Sequence, residues 1–545
     1  MRDELRAHRR DVVGGSALVM AHQLCEAFVP VVIGLAIDRA IETSSVPALL
    51  RWVAVTIVLF AVLALAARLG YHRLDRATEA ISHDLRCRLT ARLVDPRGAA
   101  RSEQLGRTVN VATSDADRVG HVAEAVGISA GAVAALGGGG LFLLATSWQL
   151  GVVVLLGLPV VVLLAHRLAG PIEARSAREQ DAMAAAAGVA TDLLLGLRVL
   201  KGLGAEPAAS LRYRRSSEAA CTGRTHAARA LGAYEGATLA IAGVFLVVVT
   251  WVGAQLAVDG AISVGALIAS VGLAQFLVGP LTRLAAIGPA AARANASAER
   301  VAALLDAPPA VLDPSEPVHP GPGALALDDV TGGRLVGCTL ALEPGEWLGV
   351  VAGAEAHDLV DLLARRRDPI AGALRLAGVD VRQVSLDELR ARVVVADHHA
   401  ALLADSVRDN VRDGGELDLR IVLAATTVDE FVASLPGGAE GDVGVDGGRL
   451  SGGQRQRLLL ARAVATGAPV LVLHDPTTAV DAATDVEIAR RVRRLRCDAT
   501  MLVTTDPAWL AVCDRVVVLR DGRVAAEGTH LDLLADDPAY REAVS

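Results

Sequence analysis

At 545 residues the chain is too long for one ordinary domain. A hydrophobic fraction of 52% with a mean hydropathy of +0.43 excludes an ordinary soluble chain and requires membrane segments. The net charge of −8 offers no basic surface on which to expect nucleic acid as a partner.

The N-terminal residues 1–10 are charged and run into a long apolar segment without a small-residue cleavage site. They read as a cytoplasmic tail ahead of a retained membrane helix rather than a secretory signal. Apolar stretches of spanning length follow at about 12–37, 50–75, 125–146, 149–171, 228–257 and 262–288. The loops alternate short and long. The two long ones are arginine-rich, with Arg73, Arg76, Arg86, Arg88 and Arg92 in the first and Arg212, Arg214, Arg215 and Arg224 in the second. The positive-inside rule places both, and the N-terminus, in the cytoplasm, although Arg39 and Arg51 in the first short loop run against it. Ionisable groups within spans are costly and become functional candidates. His22 and Glu26 lie four apart on the first span, hence on one helix face, and Glu235 lies in the fifth. They are candidates for a substrate cavity, or they pair with each other and with neighbouring helices.

The composition changes at Ala307. Pro308, Pro309, Pro314, Pro317, Pro320 and Pro322 mark a linker over 307–323. Beyond it, short β-type runs at 324–330, 337–342, 347–352, 393–396, 469–474, 500–505 and 515–519 alternate with helical patterns, and about 405–465 reads mostly helical. The pattern predicts an α/β domain with a largely parallel central sheet. The six cysteines are scattered and suggest neither zinc nor a disulfide framework.

The helical stretch ends in Leu450-Ser451-Gly452-Gly453-Gln454, followed by Arg455-Gln456-Arg457 and an apolar helical run. Ser451 can cap a helix, two glycines admit close backbone approach, and the helix turns its N–H groups and positive dipole end toward an anion. This string resembles the LSGGQ signature of ATP-binding cassette (ABC) proteins, and the downstream residues resemble ABC exporters. The resemblance implies a multi-domain chain. An all-α six-helix exporter transmembrane domain over 1–306 is joined to an α/β P-loop-type nucleotide-binding domain over 324–545, with a helical subdomain at about 405–465. Two cytoplasmic strings are similar to the family's intracellular loops, Gly196 to Glu206 and Gly106 to Asp117. In the family the signature reaches across a dimer to the γ-phosphate of ATP held by the other cassette.

Against that family pattern, the elements for the chain's own ATP are altered. A P-loop needs glycines to cradle phosphates, a lysine for the β/γ-phosphates and a hydroxyl for Mg²⁺. Here Ala352-Gly353-Ala354-Glu355-Ala356-His357-Asp358 keeps one glycine. Asp358 or Ala356, depending on register, takes the lysine position, and the chain's single lysine, Lys201, lies elsewhere. After the strand 470–473, His474 takes the position of the Mg²⁺-ordering aspartate and Asp475 that of the general-base glutamate. Asp475 is one methylene shorter, and proton-transfer geometry is exacting. His398 falls on the glutamine-lid position and Thr505 on the switch-histidine position, with Asp506 next in register. No aromatic stands at 330–332 to stack adenine. His398, His399 and His474 supply imidazoles without a spacing that defines a metal site, so none is expected. The signature and the D-loop, Thr478-Ala479-Val480-Asp481, are kept.

The resemblance therefore implies the degenerate subunit of a heterodimeric ABC exporter in a bacterial inner membrane. ATP and Mg²⁺ are expected at a composite site held mainly by a catalytically complete half-transporter. The other partners expected are membrane lipid and a small-molecule, lipid or peptide substrate whose identity the sequence does not specify. Two alternatives remain at this point, a non-transporting scaffold or regulator and a self-sufficient homodimer.

Overall fold

The computed structural model describes residues 2–41, 45–98, 105–398, 400–412 and 417–544. They form two compact units, residues 1–90 with 104–305, and residues 91–103 with 306–545.

The first unit is helical. Its main helices are α1 (Arg9–Ala36), α2 (Val46–Leu93), α3 (Val122–Thr146), α4 (Trp148–Leu195), α5 (Glu206–Val258), α6 (Val264–Ala285) and α7 (Ile287–Leu305). Six stretches among the described residues are long and apolar enough to cross a membrane, Arg9–Ala40, Val46–Leu93, Thr108–Thr146, Trp148–Ala169, Glu206–Val258 and Val264–Leu305. Three of the helices, α2, α4 and α5, have 48, 48 and 53 residues, far more than the roughly 20 that a bilayer needs. Small residues bring helices together, as apolar side chains gain little by meeting each other in lipid. A Cβ on Gly265 would stand 2.1 Å from the Gly34 carbonyl oxygen. At the same contact Asp38 Oδ1 accepts from the Gly265 N–H at 2.8 Å, and Ser263 caps α6 by accepting from Ala266 N.

His22 and Glu26 do meet, with Nε2 and Oε2 3.6 Å apart. His22 Nδ1 also lies 3.2 Å from the Leu63 carbonyl of α2, and Gln23 donates to Glu26 Oε2 at 3.2 Å. Glu235 is exposed on α5. A buried charge is satisfied within the unit: Asp115 accepts two bonds of 2.7 Å from Arg300 and one of 2.9 Å from Ser297. The string expected to form an intracellular loop folds as a short helix, Leu197–Leu203, closed by Gly204 at φ 63°.

The second unit holds two sheets. The first contains β1 (Leu325–Gly332), β2 (Leu335–Leu342), β4 (Ala371–Leu376) and β5 (Val379–Asp380) in the antiparallel order β2-β1-β4-β5. The second contains β3 (Trp347–Val351), β6 (Val393–Ala396), β7 (Val470–His474), β8 (Ala499–Val503), β9 (Arg515–Arg520) and β10 (Arg523–Gly528) in the order β10-β9-β3-β8-β7-β6. Five of these six strands are parallel and β10 is the antiparallel edge. Buried on both faces, β3, β7 and β8 are continuous apolar runs. The six-stranded sheet is the largely parallel central sheet that was expected, and the antiparallel four-stranded sheet and the edge strand β10 add to it. Residues 91–98 join this unit through Ala310 N and Val311 N, which donate to the Arg97 carbonyl, and through Arg92, which donates to the Ala307 carbonyl at 2.7 Å.

Candidate functional site

Helix α9 (Gly452–Ala465) begins at Ser451 with a reciprocal capping box. Ser451 Oγ accepts from Gln454 N at 3.3 Å, and Gln454 Oε1 accepts from Ser451 N at 2.9 Å. Such a cap fixes the first turn in place before any ligand arrives. Leu450 anchors the turn by packing against the buried cluster below it. The two glycines differ in what they face. A Cβ on Gly452 would make only an ordinary 3.5 Å contact with Ala479 Cβ, whereas one on Gly453 would stand 2.7 Å from the Ala479 carbonyl oxygen. Gly453 is thus required by packing against the D-loop, and Gly452 leaves its surroundings open.

The sequence reading did not single out the residue that joins these two segments. Gln456 Oε1 accepts from Ala479 N at 2.7 Å, and its Nε2 donates to Thr478 Oγ1 at 2.6 Å. Its position four residues after Gly452, on the same helix face, was the available signal. Gln456→Ala removes both bonds and is expected to lower ATP turnover of the assembled transporter about tenfold with little change in ATP affinity. Steady-state kinetics on the reconstituted complex would check this. Asp481 ends the D-loop as the N-cap of α10 (Ala482–Leu495), accepting from Thr484 N at 3.0 Å. That bond and the neighbouring amides hold its carboxyl below the usual range.

Three residues, Ala352, Gly353 and Ala354, join β3 to helix α8 (Glu355–Leu363). The turn closes on itself, with Ala356 N donating to the Gly353 carbonyl at 3.2 Å. Glu355 and Asp358 occupy the first helical turn. Ala356 packs on the sheet core, and exposed His357 lies 3.7 Å from Asp361. Asp358 serves the fold. It accepts from Arg334 N at 2.9 Å and from the Arg367 guanidinium, tying the β1–β2 turn to α8. Burial pushes its carboxyl up, but these two donors outweigh burial and hold it below the usual range. Beside the loop an open cavity of about 440 Å³ is lined by Gly353, Glu355, Thr505, Arg520 and Asp521 among others. Thr505 is exposed at its edge, and Asp506 caps the next short helix through Ala508 N.

At the end of β7, His474 is buried. Asp475 follows with φ 44°, in the left-handed region, its N–H donated to the Val503 carbonyl at 3.1 Å. His474 Nδ1 lies 3.4 Å from His398 Nδ1 and 3.5 Å from Asp397 Oδ1. His398, half-buried after β6, is therefore brought to His474. Asp397 is a third group that the sequence reading missed, although it adjoins His398. His399 lies outside the described residues.

Behind the D-loop, Trp509 Nε1 donates to Thr477 Oγ1 at 2.5 Å and to Asp485 Oδ1 at 3.0 Å. Burial first, and then the neighbouring Asp506 carboxyl, push the Asp485 carboxyl up to about 7. The folded domain then binds more protons than the unfolded chain between the usual carboxylate range and pH 7, so stability falls as pH rises through that window. Asp485→Asn is expected to remove the decline and to stabilise the domain at pH 8 by on the order of 2 kcal/mol. Thermal melts across pH would show it.

A cassette fold of two sheets and a helical segment ending in a capped LSGGQ helix, carried on a chain with six spans, defines a membrane ABC protein. Comparison with known proteins agrees. Residues 14–281 match the ABC transporter transmembrane region and residues 337–478 match the ABC transporter domain. The chain is 30% identical over 417 residues to the ATP-dependent lipid A-core flippase of Ralstonia nicotianae, covering 73% of this chain and 70% of the relative. It is 30% identical over 554 residues to a multidrug efflux ATP-binding/permease protein of Mycobacterium tuberculosis, covering 99% of this chain but 46% of that protein. The chain thus spans about half the length of that relative. The fold matches a bacterial Atm1-family ABC exporter solved with ATP bound, with a TM-score of 0.76, 22% identity and coverage of 99% and 97%. The chain belongs to the ABC transporters: it carries a transmembrane region joined to an ABC transporter domain, in the exporter fold. It is a multi-pass membrane protein with its nucleotide-binding domain in the cytoplasm, in an ATPase family that uses ATP with Mg²⁺.

Proposed function

We propose that this chain is the degenerate subunit of a heterodimeric ABC exporter. It supplies Leu450 to Gln454 and the D-loop to ATP and Mg²⁺ held by a catalytically complete partner, and its own loop does not turn over nucleotide. The observation that carries this reading is the contrast within one cassette. The signature turn is fully capped and clamped to the D-loop by Gln456. The loop that would hold the chain's own triphosphate is a three-residue turn followed by two carboxylates in a helix, Glu355–Leu363, that carries no lysine or arginine, and Asp358 is already committed to Arg334 and Arg367. A triphosphate there would meet negative charge and a closed turn.

At the composite site the capped N-terminus of α9 directs its amides and dipole at the γ-phosphate of the partner's ATP. Ser451 and the Gly452 and Gly453 amides stabilise charge as it shifts toward the leaving group. Closure of the two cassettes then drives the spans between inward-open and outward-open states. The names of the relatives direct attention to lipid or drug-like substrates for the cavity. Photolabelling of the assembled pair with azido-ATP tests the nucleotide assignment. Label is expected on the partner's P-loop peptide, and equal labelling of 347–363 in this chain would overturn it.

A further inference from the structure

The segment following β6 and the end of β7 carry three donor atoms whose spacing is that of a coordination shell. His398 Nδ1 and His474 Nδ1 are 3.4 Å apart. His398 Nδ1 and Asp397 Oδ1 are 3.3 Å apart, and His474 Nδ1 and Asp397 Oδ1 are 3.5 Å apart. These are the edges of a nearly equilateral triangle built from one atom of each residue. In a tetrahedral zinc site, bonds of about 2.0–2.2 Å to nitrogen and oxygen place donor atoms roughly 3.3–3.5 Å from one another. Among the described residues this is the one group of three or more His, Cys, Asp or Glu side chains placed to hold a metal ion.

We propose that Asp397, His398 and His474 form a site for a divalent transition-metal ion, Zn²⁺ above all. Two imidazoles and one carboxylate make a borderline donor set that suits Zn²⁺ and Co²⁺ and is poor for Mg²⁺, which demands octahedral oxygen ligands. The surroundings complete the arrangement. The second oxygen of Asp397 accepts from Arg366 at 3.3 Å, which orients the carboxylate so that Oδ1 faces the rings. The far nitrogen of His474, Nε2, lies 3.8 Å from Asp475 Oδ2, placing a carboxylate behind the metal-facing ring. A cavity of about 20 Å³ adjoins the triangle, bounded by Gln456, Leu459 and Pro476. It has room for one water as a fourth ligand. A bound ion would join the segment after β6 to the end of β7, two neighbouring parallel strands. It would fix the register of the two ends nearest the signature helix.

The proposal stands apart from the nucleotide assignment, because it is tested on the full-length chain alone without ATP. Purified protein stripped with chelator is titrated with Co²⁺, whose visible d–d absorption is intense in tetrahedral sites and faint in octahedral ones. Zn²⁺ affinity is then read by competition with a chromophoric chelator. One tetrahedral Co²⁺ per chain is expected, displaced by Zn²⁺ and not by a large excess of Mg²⁺. His398→Ala, at a half-buried position, and His474→Gln should each weaken binding at least about tenfold. Zn²⁺ should raise the melting temperature of the unaltered chain but not of His398→Ala. A surface alternative is controlled directly, since His83 Nε2 and Cys87 Sγ lie 3.6 Å apart on α2. Cys87→Ser should leave the tetrahedral signal intact. Absence of a tetrahedral spectrum, or a spectrum lost in Cys87→Ser but kept in His398→Ala and His474→Gln, would overturn the assignment.

Discussion

Gly452→Asp in this chain is expected to reduce ATP turnover of the assembled transporter by at least about a hundredfold, even though the chain's own loop is untouched. The added side chain can be accommodated, since a Cβ at 452 meets only Ala479 Cβ at an ordinary 3.5 Å. The loss therefore comes from charge and not from misfolding. A carboxylate in the first turn of α9 neutralises the positive end of the helix and would repel a γ-phosphate at the proposed composite site. Gly452→Ala adds the Cβ alone, without the charge, and is expected to retain most activity. Equal inactivation by alanine and aspartate would assign the effect to packing. Retained turnover in Gly452→Asp would remove the signature from the reaction.

The second large effect concerns Asp358, one of the two positions in register with the missing P-loop lysine. Asp358→Lys is expected to destabilise the nucleotide-binding unit by on the order of 2–4 kcal/mol and to confer no ATP binding. The carboxylate it removes is a hinge between elements. It accepts from the Arg334 amide and from Arg367, and it stands against Gly333, where a Cβ would meet Asp358 Oδ1 at 2.2 Å. A lysine would put a third cation beside Arg334 and Arg367 and leave the amide of the β1–β2 turn without its acceptor. Thermal unfolding of the full-length chain with and without ATP tests both parts. Stabilisation by ATP in Asp358→Lys would mean that the loop is one substitution from function.

Much of the architecture was legible because it is written in local patterns. The spans are long apolar runs, the central strands are short, mostly apolar runs rich in Val and Leu, and the LSGGQ cap is a contiguous string whose box closes over three residues. What could not be read depends on contacts between distant segments. Strands β4 and β10 contain glycine and arginine and are short edge or antiparallel elements, so neither hydrophobicity nor period marks them. Asp358 was visible as a misplaced acid, but its partner Arg334 lies 24 residues upstream on another hairpin. Gln456 stands within the motif, and its role rests on the Thr478 hydroxyl and the Ala479 amide, 22 and 23 residues away. Asp397 sits beside His398 in the chain, yet only the parallel pairing of β6 with β7 brings it to His474. The pairing of His22 with Glu26 shows the opposite case, in which helical spacing alone was enough to foresee the contact.

The division of labour between two chains is tested most directly by ATP hydrolysis of this chain purified alone into lipid nanodiscs, beside the same chain assembled with a half-transporter that carries an intact P-loop and catalytic glutamate. Background rates alone and robust turnover in the pair are the expected result. Turnover by the chain alone at a rate comparable to the pair, and abolished by Gly452→Asp, would contradict it.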